Sequence, residues 1–209
     1  MKNKVIVISI IVAVSLIGKL QAKELHMGLK GGLNIANFTG DEEFFVYKSK
    51  MGIILGGYVS YPINNSIVIQ PELLYTMKGS EREVVGIRIT ESLNYLEIPI
   101  LLKLMLVTEE NMKLNLFLGP AVSVTLSAKA KIDYPKDVED LGFKDEEKDS
   151  SNYKKKYDIG IVIGGGIDFN SGLVLDIRYG RGITKIGAKE TYIDMYNSVI
   201  SFMVGYRFN

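Results

Sequence analysis

The chain has no cysteine, its charges nearly cancel, and after its first two dozen residues it has no long apolar run. The absence of cysteine excludes a fold held together by disulfides. A net charge of +1 at pH 7 gives no overall attraction to nucleic acid, so we expect no nucleic-acid partner. Because no internal segment reaches the ~20 apolar residues of a spanning helix, any passage through a membrane must use strands.

The first 22 residues have the pattern of a secretory signal peptide. Lys2 and Lys4 precede an apolar run over residues 5–18, and Ala22 offers a small residue at the cleavage point. The run is too short for the alternative, an uncleaved spanning anchor. We therefore expect a signal peptide over residues 1–22 and one domain of ordinary size over residues 23–209.

What the chain does contain is an alternation of period two, in which every second residue is apolar. This period is typical of strands with two unlike faces. The alternating segments lie at residues 25–37, 50–61, 67–78, 93–106, 114–126, 157–169, 173–180 and 200–208. Eight segments joined in sequence predict an all-β fold, an eight-stranded antiparallel up-and-down transmembrane β-barrel.

The connections between these segments alternate in length. The links after the second, fourth and sixth segments are short, while the others are longer and richer in charge. Short turns at one end and long loops at the other are typical of outer-membrane barrels, with the long loops outside the cell and both termini in the periplasm. The longest link, residues 128–156, is expected to be a solvated loop that meets partners. Its acidic cluster over residues 145–149 suggests a divalent cation as an alternative.

The composition of the two faces indicates which one meets lipid. Bulky Leu, Ile and Val fill one face, whereas Gly, small polar residues and scattered charges fill the other, as in a narrow polar lumen. A soluble barrel or sandwich would face its apolar residues inward. Aromatic residues near the strand ends resemble interfacial girdles. These are Tyr61, Tyr75, Tyr157, Phe169, Tyr179, Tyr206 and Phe208. We therefore expect the cell outer membrane as the location.

Several charged residues share the phase of the small residues. They include Lys30, Glu72, Glu97, Lys103, Asp176, Arg178 and Arg207, the predicted lumen charge network, together with Lys78 and Asp168. An Arg or Lys facing lipid at the midplane costs about 2–4 kcal/mol, so these side chains are expected to face the lumen. Buried charges need partners. We hypothesise that five of them form one belt of ion pairs that plugs the barrel; the alternative is a narrow gated ion path. The five are Glu72, Glu97, Lys103, Asp176 and Arg178.

The residues offer little catalytic chemistry. Lipid hydrolysis would want a serine, a histidine and a carboxylate at the outer interface. The sole histidine, His26, begins the first strand at the expected periplasmic end. The Gly164–Gly166 run precedes no helix, so it is not a phosphate loop. We expect no catalytic residues, no metal and no cofactor.

Several segments resemble the PorT-type outer-membrane β-barrel family of Bacteroidetes-like bacteria. They are GLKGGLNIAN (28–37), IQPELLYTMKG (69–79), LNYLEIPILLKL (93–104), FLGPAVS (117–123), LDIRYGRGIT (175–184) and the terminal VGYRFN. The resemblance implies an eight-stranded outer-membrane barrel, and the namesake of the family assists secretion and gliding machinery. Asn209 after the last aromatic residue and the long 128–156 segment depart from the pattern.

The expected function is that of a small outer-membrane barrel with a mostly closed polar lumen. It would act in outer-membrane structure, surface binding or support of a secretion assembly. We expect outer-membrane lipids and secretion or cell-surface proteins as partners, and a monomer. The alternatives are a soluble periplasmic barrel that binds an apolar ligand, a narrow pore and a lipid-modifying enzyme.

Overall fold

The computed structural model describes residues 25–40, 47–84, 86–108, 110–135, 144–149, 156–186 and 195–208. The predicted signal peptide over residues 1–22 lies outside these ranges. In the described part of the chain, no helix is long and apolar enough to cross a membrane.

Nine strands follow one another along the chain. They are β1 (His26–Gly40), β2 (Tyr47–Pro62), β3 (Ile67–Val84), β4 (Ile87–Thr108), β5 (Met112–Asp133), β6 (Glu146–Asp149), β7 (Tyr157–Phe169), β8 (Leu173–Gly182) and β9 (Met195–Phe208). All pairings are antiparallel, and β1 pairs with both β2 and β9. Because β4 also pairs with β5 and β5 with β7, eight long strands close into a ring. The prediction of an eight-stranded antiparallel barrel is confirmed.

The two faces of the strands differ as the alternation predicts. On β1, Leu29 is 59% exposed while its neighbour Lys30 is 4% exposed. Exposed aliphatic and aromatic side chains continue around all eight long strands and form an outward apolar belt. An apolar belt outside and polar residues inside are typical of a membrane barrel. The soluble alternative, with its apolar face inward, is therefore wrong.

The two ends of the barrel are unlike. At one end, the short-turn end, β2 and β3 are joined by residues 63–66, and β7 and β8 by residues 170–172. His26 and Phe208, the first and last strand residues, lie at this end because they begin β1 and finish β9. The opposite end is called the long-loop end.

Three strands extend farther toward the long-loop end than the sequence predicts. The link between the third and fourth segments is a hairpin, in which β3 continues to Val84 and β4 starts at Ile87. Gly86 supplies the positive φ, 80°, that this tight turn needs. Likewise, β5 continues to Asp133, and β6 pairs with residues 129–132. The expectation of a solvated loop over 128–156 is thus wrong at both of these strands.

The error has a physical cause. The sequence pattern indicates a strand only where an apolar face alternates with a polar one. Large exposed hydrophobic residues do not occur within residues 78–93, 127–135 and 144–149 as far as the structure describes them. A strand that leaves the lipid no longer needs an apolar outer face, so the alternation fades although the strand continues. We call residues 81–84, 87–90, 129–133 and β6 the protruding sheet.

Candidate functional site

Four buried charges meet at the middle of the lumen and form what we call the central cluster. Lys30 Nζ donates to Glu72 Oε1 at 2.7 Å and to Asp176 Oδ2 at 2.8 Å. Arg178 donates through Nη1 to Glu72 Oε2 at 2.8 Å and through Nη2 to Asp176 Oδ2 at 3.1 Å. Each residue is at most 6% exposed. Two cations and two carboxylates thus neutralise one another, as buried charges require.

Glycines on the neighbouring strands make room for the central cluster. Lys30 lies in register with Gly56 on one side and Gly205 on the other. Asp176 lies opposite Gly166, where an added Cβ would come within 2.5 Å of Asp176 Oδ1. An eight-stranded barrel has an interior just wide enough for side chains to fill. The inward glycines therefore leave the space that the long charged side chains occupy.

Polar side chains extend the central cluster toward the short-turn end. Gln70 Nε2 donates to Glu72 Oε1 at 2.7 Å, and Ser60 Oγ donates to Gln70 Oε1 at 2.8 Å. Glu72 therefore accepts from Lys30, Arg178 and Gln70 together. A carboxylate held by this many donors has one fixed orientation.

Two further ion pairs lie above and below the central cluster. Toward the long-loop end, Glu97 pairs with Lys78 and accepts a hydrogen bond from Ser123 Oγ at 2.9 Å. Toward the short-turn end, Lys103 Nζ lies 3.2 Å from Asp168 Oδ1, which also accepts from Asn115 Nδ2 at 3.1 Å. Each of these two lysines is thus neutralised by one carboxylate.

The structure thus separates the hypothesised single belt into three groups. Glu72, Asp176 and Arg178 meet in the central cluster, but Glu97 and Lys103 do not join it. These two residues are six positions apart on β4, which is about 20 Å along a strand, so one belt cannot hold both. Their partners are Lys78 and Asp168.

Arg207 lies apart from these groups, at the short-turn mouth. It donates from Nη2 to the Phe169 carbonyl oxygen at 3.2 Å and forms no salt bridge with any residue that the structure describes. It is half-buried, whereas the charges of the central cluster are buried.

A further buried carboxylate, Asp158, is not among the site residues that the sequence predicts. It accepts from Asn197 Nδ2 at 2.6 Å and from Thr184 Oγ1 at 2.7 Å. Asn197 also donates to the Tyr95 hydroxyl at 3.3 Å. The available signal was its position in the inward phase of β7, beside Gly160. Its partners were out of reach, because Thr184 follows the last residue of β8 and Asn197 precedes the recognised part of β9.

Apolar side chains close the lumen beyond these polar layers at the long-loop end. This apolar cap consists of Phe38, Leu93, Tyr95, Ala128, Ile186 and Met195, each at most 7% exposed. Between the cap and the central cluster lies a cavity of about 30 Å³, lined in part by Lys78, Glu97 and Asp158. That volume holds about two water molecules. The interior is therefore a packed polar core under an apolar cap.

The short-turn mouth is open instead. It forms a recess of about 500 Å³, which we call the vestibule. Its polar and charged lining includes His26, Tyr58, Lys103, Lys113, Asp168 and Arg207. The Lys103–Asp168 pair lies at the inner limit of the vestibule, so the vestibule does not continue to the central cluster.

The protruding sheet carries mixed charge. Lys129 Nζ donates to Glu147 Oε1 at 2.6 Å, and this hydrogen bond raises the pKa of Lys129. Lys131 pairs with Asp133 and holds the pKa of that carboxyl below its usual value. Among the residues described, no cluster of three His, Cys, Asp or Glu side chains is arranged to hold a metal ion.

Comparison with known proteins gives one family. A family model described as "Outer membrane protein beta-barrel domain" matches residues 19–187. A search of curated proteins gives no match.

Solved structures of outer-membrane proteins resemble this chain at low identity. Ail of Yersinia pestis has 20% identity and a TM-score of 0.46, with 89% of this chain and 100% of that chain covered. OprG of Pseudomonas aeruginosa has 12% identity and a TM-score of 0.46, with 90% and 97% covered. The outer membrane enzyme PagL has 11% identity and a TM-score of 0.49, with 86% and 98% covered. At these identities the likeness concerns the fold alone.

Proposed function

Because the chain belongs to the outer membrane protein β-barrel domain family and lies in the outer membrane, we propose that it is a closed, non-conducting barrel. In this proposal the barrel anchors the protruding sheet at the cell surface and the sheet binds a surface or secretion protein. The protein acts as a monomer with outer-membrane lipid around its apolar belt.

The closure of the lumen is the observation that carries this proposal. The three paired groups together contain four cationic side chains and four carboxylates. An ion that entered this interior would meet no unpaired charge of the opposite sign in these groups, and the apolar cap would oppose its hydration. A barrel so filled supports anchoring and display better than conduction.

The protruding sheet supports the surface-binding part. By the usual orientation of bacterial outer-membrane barrels, short turns lie in the periplasm and the opposite end lies outside the cell. The sheet would therefore extend beyond the lipid into the medium. It presents an exposed face with charges of both signs, including Glu83, Lys129 and Glu147, and Lys48 of the neighbouring strand β2 pairs with Glu83.

The narrower family assignment and the secretion role belong to the proposal as well. Two of the segments that resemble the PorT type, QPELLY and NYLEIP, supply Gln70, Glu72 and Glu97 to the interior network. The resemblance therefore rests on residues that build the lumen. Support of an export assembly is proposed from that resemblance, and export of the chain itself is proposed from the predicted signal peptide over residues 1–22.

We propose no enzymatic activity. A hydrolytic site of the serine–histidine–carboxylate type at the outer interface would need a histidine there, whereas His26 lies at the short-turn end and is the sole histidine of the chain. This arrangement favours binding over catalysis at the surface.

The absence of cysteine makes the display directly testable. Arg88→Cys places a thiol on the exposed tip of the protruding sheet, and Asn65→Cys is the matched control in the exposed turn after β2. We expect a membrane-impermeant maleimide to label Arg88→Cys on intact cells and Asn65→Cys only after permeabilisation. Labelling of Asn65→Cys alone on intact cells would contradict the proposed display.

A further inference from the structure

We propose that the vestibule at the short-turn mouth binds a small organic anion that carries phosphate or carboxylate groups. The observations that lead to this site are a recess of ligand size, an excess of positive charge on its wall and a floor that closes it.

The size of the vestibule suits a small organic molecule. Its volume of about 500 Å³ falls within the range of about 300–1,000 Å³ that is usual for ligand pockets. The wall combines charged groups with apolar surface from Pro62, Val68 and Met105. Such a lining suits an organic molecule with an anionic group better than a bare inorganic ion.

The charges on the vestibule wall do not cancel. Lys103, Lys113 and Arg207 line it, while the lining contains one carboxylate, Asp168. Asp168 already accepts from Lys103 and Asn115, so its charge is satisfied. Lys113 and Arg207 form no salt bridge with the residues that the structure describes. Two cations thus face the recess without a carboxylate of their own.

Hydrogen-bond donors in the vestibule add to this attraction. The Arg207 guanidinium donates from Nη2 to a backbone carbonyl, and its Nε has no partner among the described residues. Tyr58, 5% exposed, lies on the wall with a hydroxyl that also has no described partner. Buried donors without partners are uncommon in folded proteins. A bound oxyanion that draws these side chains toward it would satisfy them.

The floor of the vestibule makes it a site for binding and not for passage. Lys103 and Asp168 close it, and Tyr58 separates it from the central cluster, with Lys30 Nζ 4.8 Å from the centre of the Tyr58 ring. A ligand that enters therefore stops there. With the short turns in the periplasm, the ligand comes from the periplasmic side.

The binding is measured by calorimetric titration of the protein purified from the outer membrane in an uncharged detergent. Glycerol 2-phosphate and citrate are the probes for the phosphate and carboxylate classes, and sodium chloride keeps the ionic strength constant. We expect saturable binding of one molecule of at least one probe. Binding of glycerol 2-phosphate alone, of citrate alone or of both identifies the anionic group. The absence of saturable heat with both probes would overturn the site.

Substitutions then locate the site. Lys113→Gln and Arg207→Gln should each weaken binding about two- to fivefold, because each removes one half-exposed charge contact. Arg207→Lys should keep most of the affinity. The matched control is Lys129→Gln, which removes the same charge from the protruding sheet and should leave binding unchanged. Equal affinity in all four variants would contradict the assignment.

The single histidine gives a test that needs no substitution. The His26 imidazole lies on the vestibule wall, and its ring protons give the single set of histidine ring signals in an NMR spectrum. Addition of a probe that binds in the vestibule should shift these signals with the same concentration dependence as the calorimetric heat. Saturable heat without any shift of His26 would place the probe elsewhere on the protein.

Discussion

Lys30 Nζ lies 2.7 Å from Glu72 Oε1 although the two residues are 42 positions apart and lie on strands that are not neighbours. Strand β2 runs between them, and Gly56 is the residue of β2 in register with Lys30. The ion pair therefore crosses the lumen over a position without a side chain. The interior of this barrel depends on such combinations of a long charged residue and a glycine.

Removal of one charge from the central cluster should destabilise the barrel strongly. In Glu72→Gln, two buried cations share the single carboxylate of Asp176, and an unbalanced buried charge costs about 3–5 kcal/mol. Urea-induced unfolding in lipid vesicles measures the loss. Glu147→Gln, on the exposed protruding sheet, is the control and should leave the midpoint almost unchanged. Equal effects of the two substitutions would contradict the burial of the central cluster.

An added methyl group at an inward glycine should also destabilise the barrel, but by a smaller free energy than the loss of a central charge. In Gly166→Ala the new Cβ would lie 2.5 Å from Asp176 Oδ1 and 2.8 Å from the Leu175 carbonyl oxygen. Such overpacking costs about 1–3 kcal/mol. At Gly31, which faces outward, the nearest atom would be 3.6 Å away, so Gly31→Ala should be tolerated. The free energies of unfolding of the two variants, measured side by side, check this difference.

A charge on the apolar belt should destabilise the protein only where lipid is present. Leu102 is 48% exposed on the outer face of β4, and Leu102→Arg should cost about 2–4 kcal/mol if it lies near the midplane. Thr90→Arg lies on the same face of β4 in the protruding sheet, beyond the belt, and should cost little. The free energies of unfolding of the two variants in lipid vesicles measure the difference. A larger loss for Thr90→Arg would contradict the position assigned to the lipid.

The attachment of β6 to β5 should depend on charge. Lys131 and Lys129 lie in register with Glu147 and Asp149, and Lys129 also reaches Glu147 at 2.6 Å. Glu147→Lys sets like charges opposite each other, which destabilises a strand pair. We expect faster amide hydrogen exchange over residues 146–149 with unchanged exchange in the barrel strands. Unaltered exchange in β6 would show that the pairing does not need these contacts.

Much of the fold could be predicted because one face of each strand must meet lipid. Leu29 faces the lipid and Lys30 faces the lumen for that reason, and the phase of the alternation predicts both orientations correctly. Beyond the lipid, strands no longer need an apolar outer face, so the alternation does not predict them. Residues 80–84 and 129–133 continue β3 and β5 without an apolar face, so their amino-acid pattern is that of a loop and does not predict a strand.

The partners inside the lumen could not be predicted from the phase. Lys30 contacts Asp176 across 146 positions in the chain, and this contact depends on the stagger of eight strands. The stagger is set by bulges, such as the one opposite Asn94 and Tyr95, which period-two patterning does not reveal. The apolar cap was missed for a related reason, since Phe38 and Ile186 follow the last recognised residues of their segments.

Single-channel recording in planar lipid bilayers tests the closed lumen most directly. The purified, folded protein is reconstituted at neutral pH, with a general porin as the positive control for the assay. Because the central cluster, its flanking ion pairs and the apolar cap fill the interior, we expect insertion without conductance steps. Reproducible conductance steps from the wild-type protein would contradict the closed barrel, and with it the proposed function as an anchor.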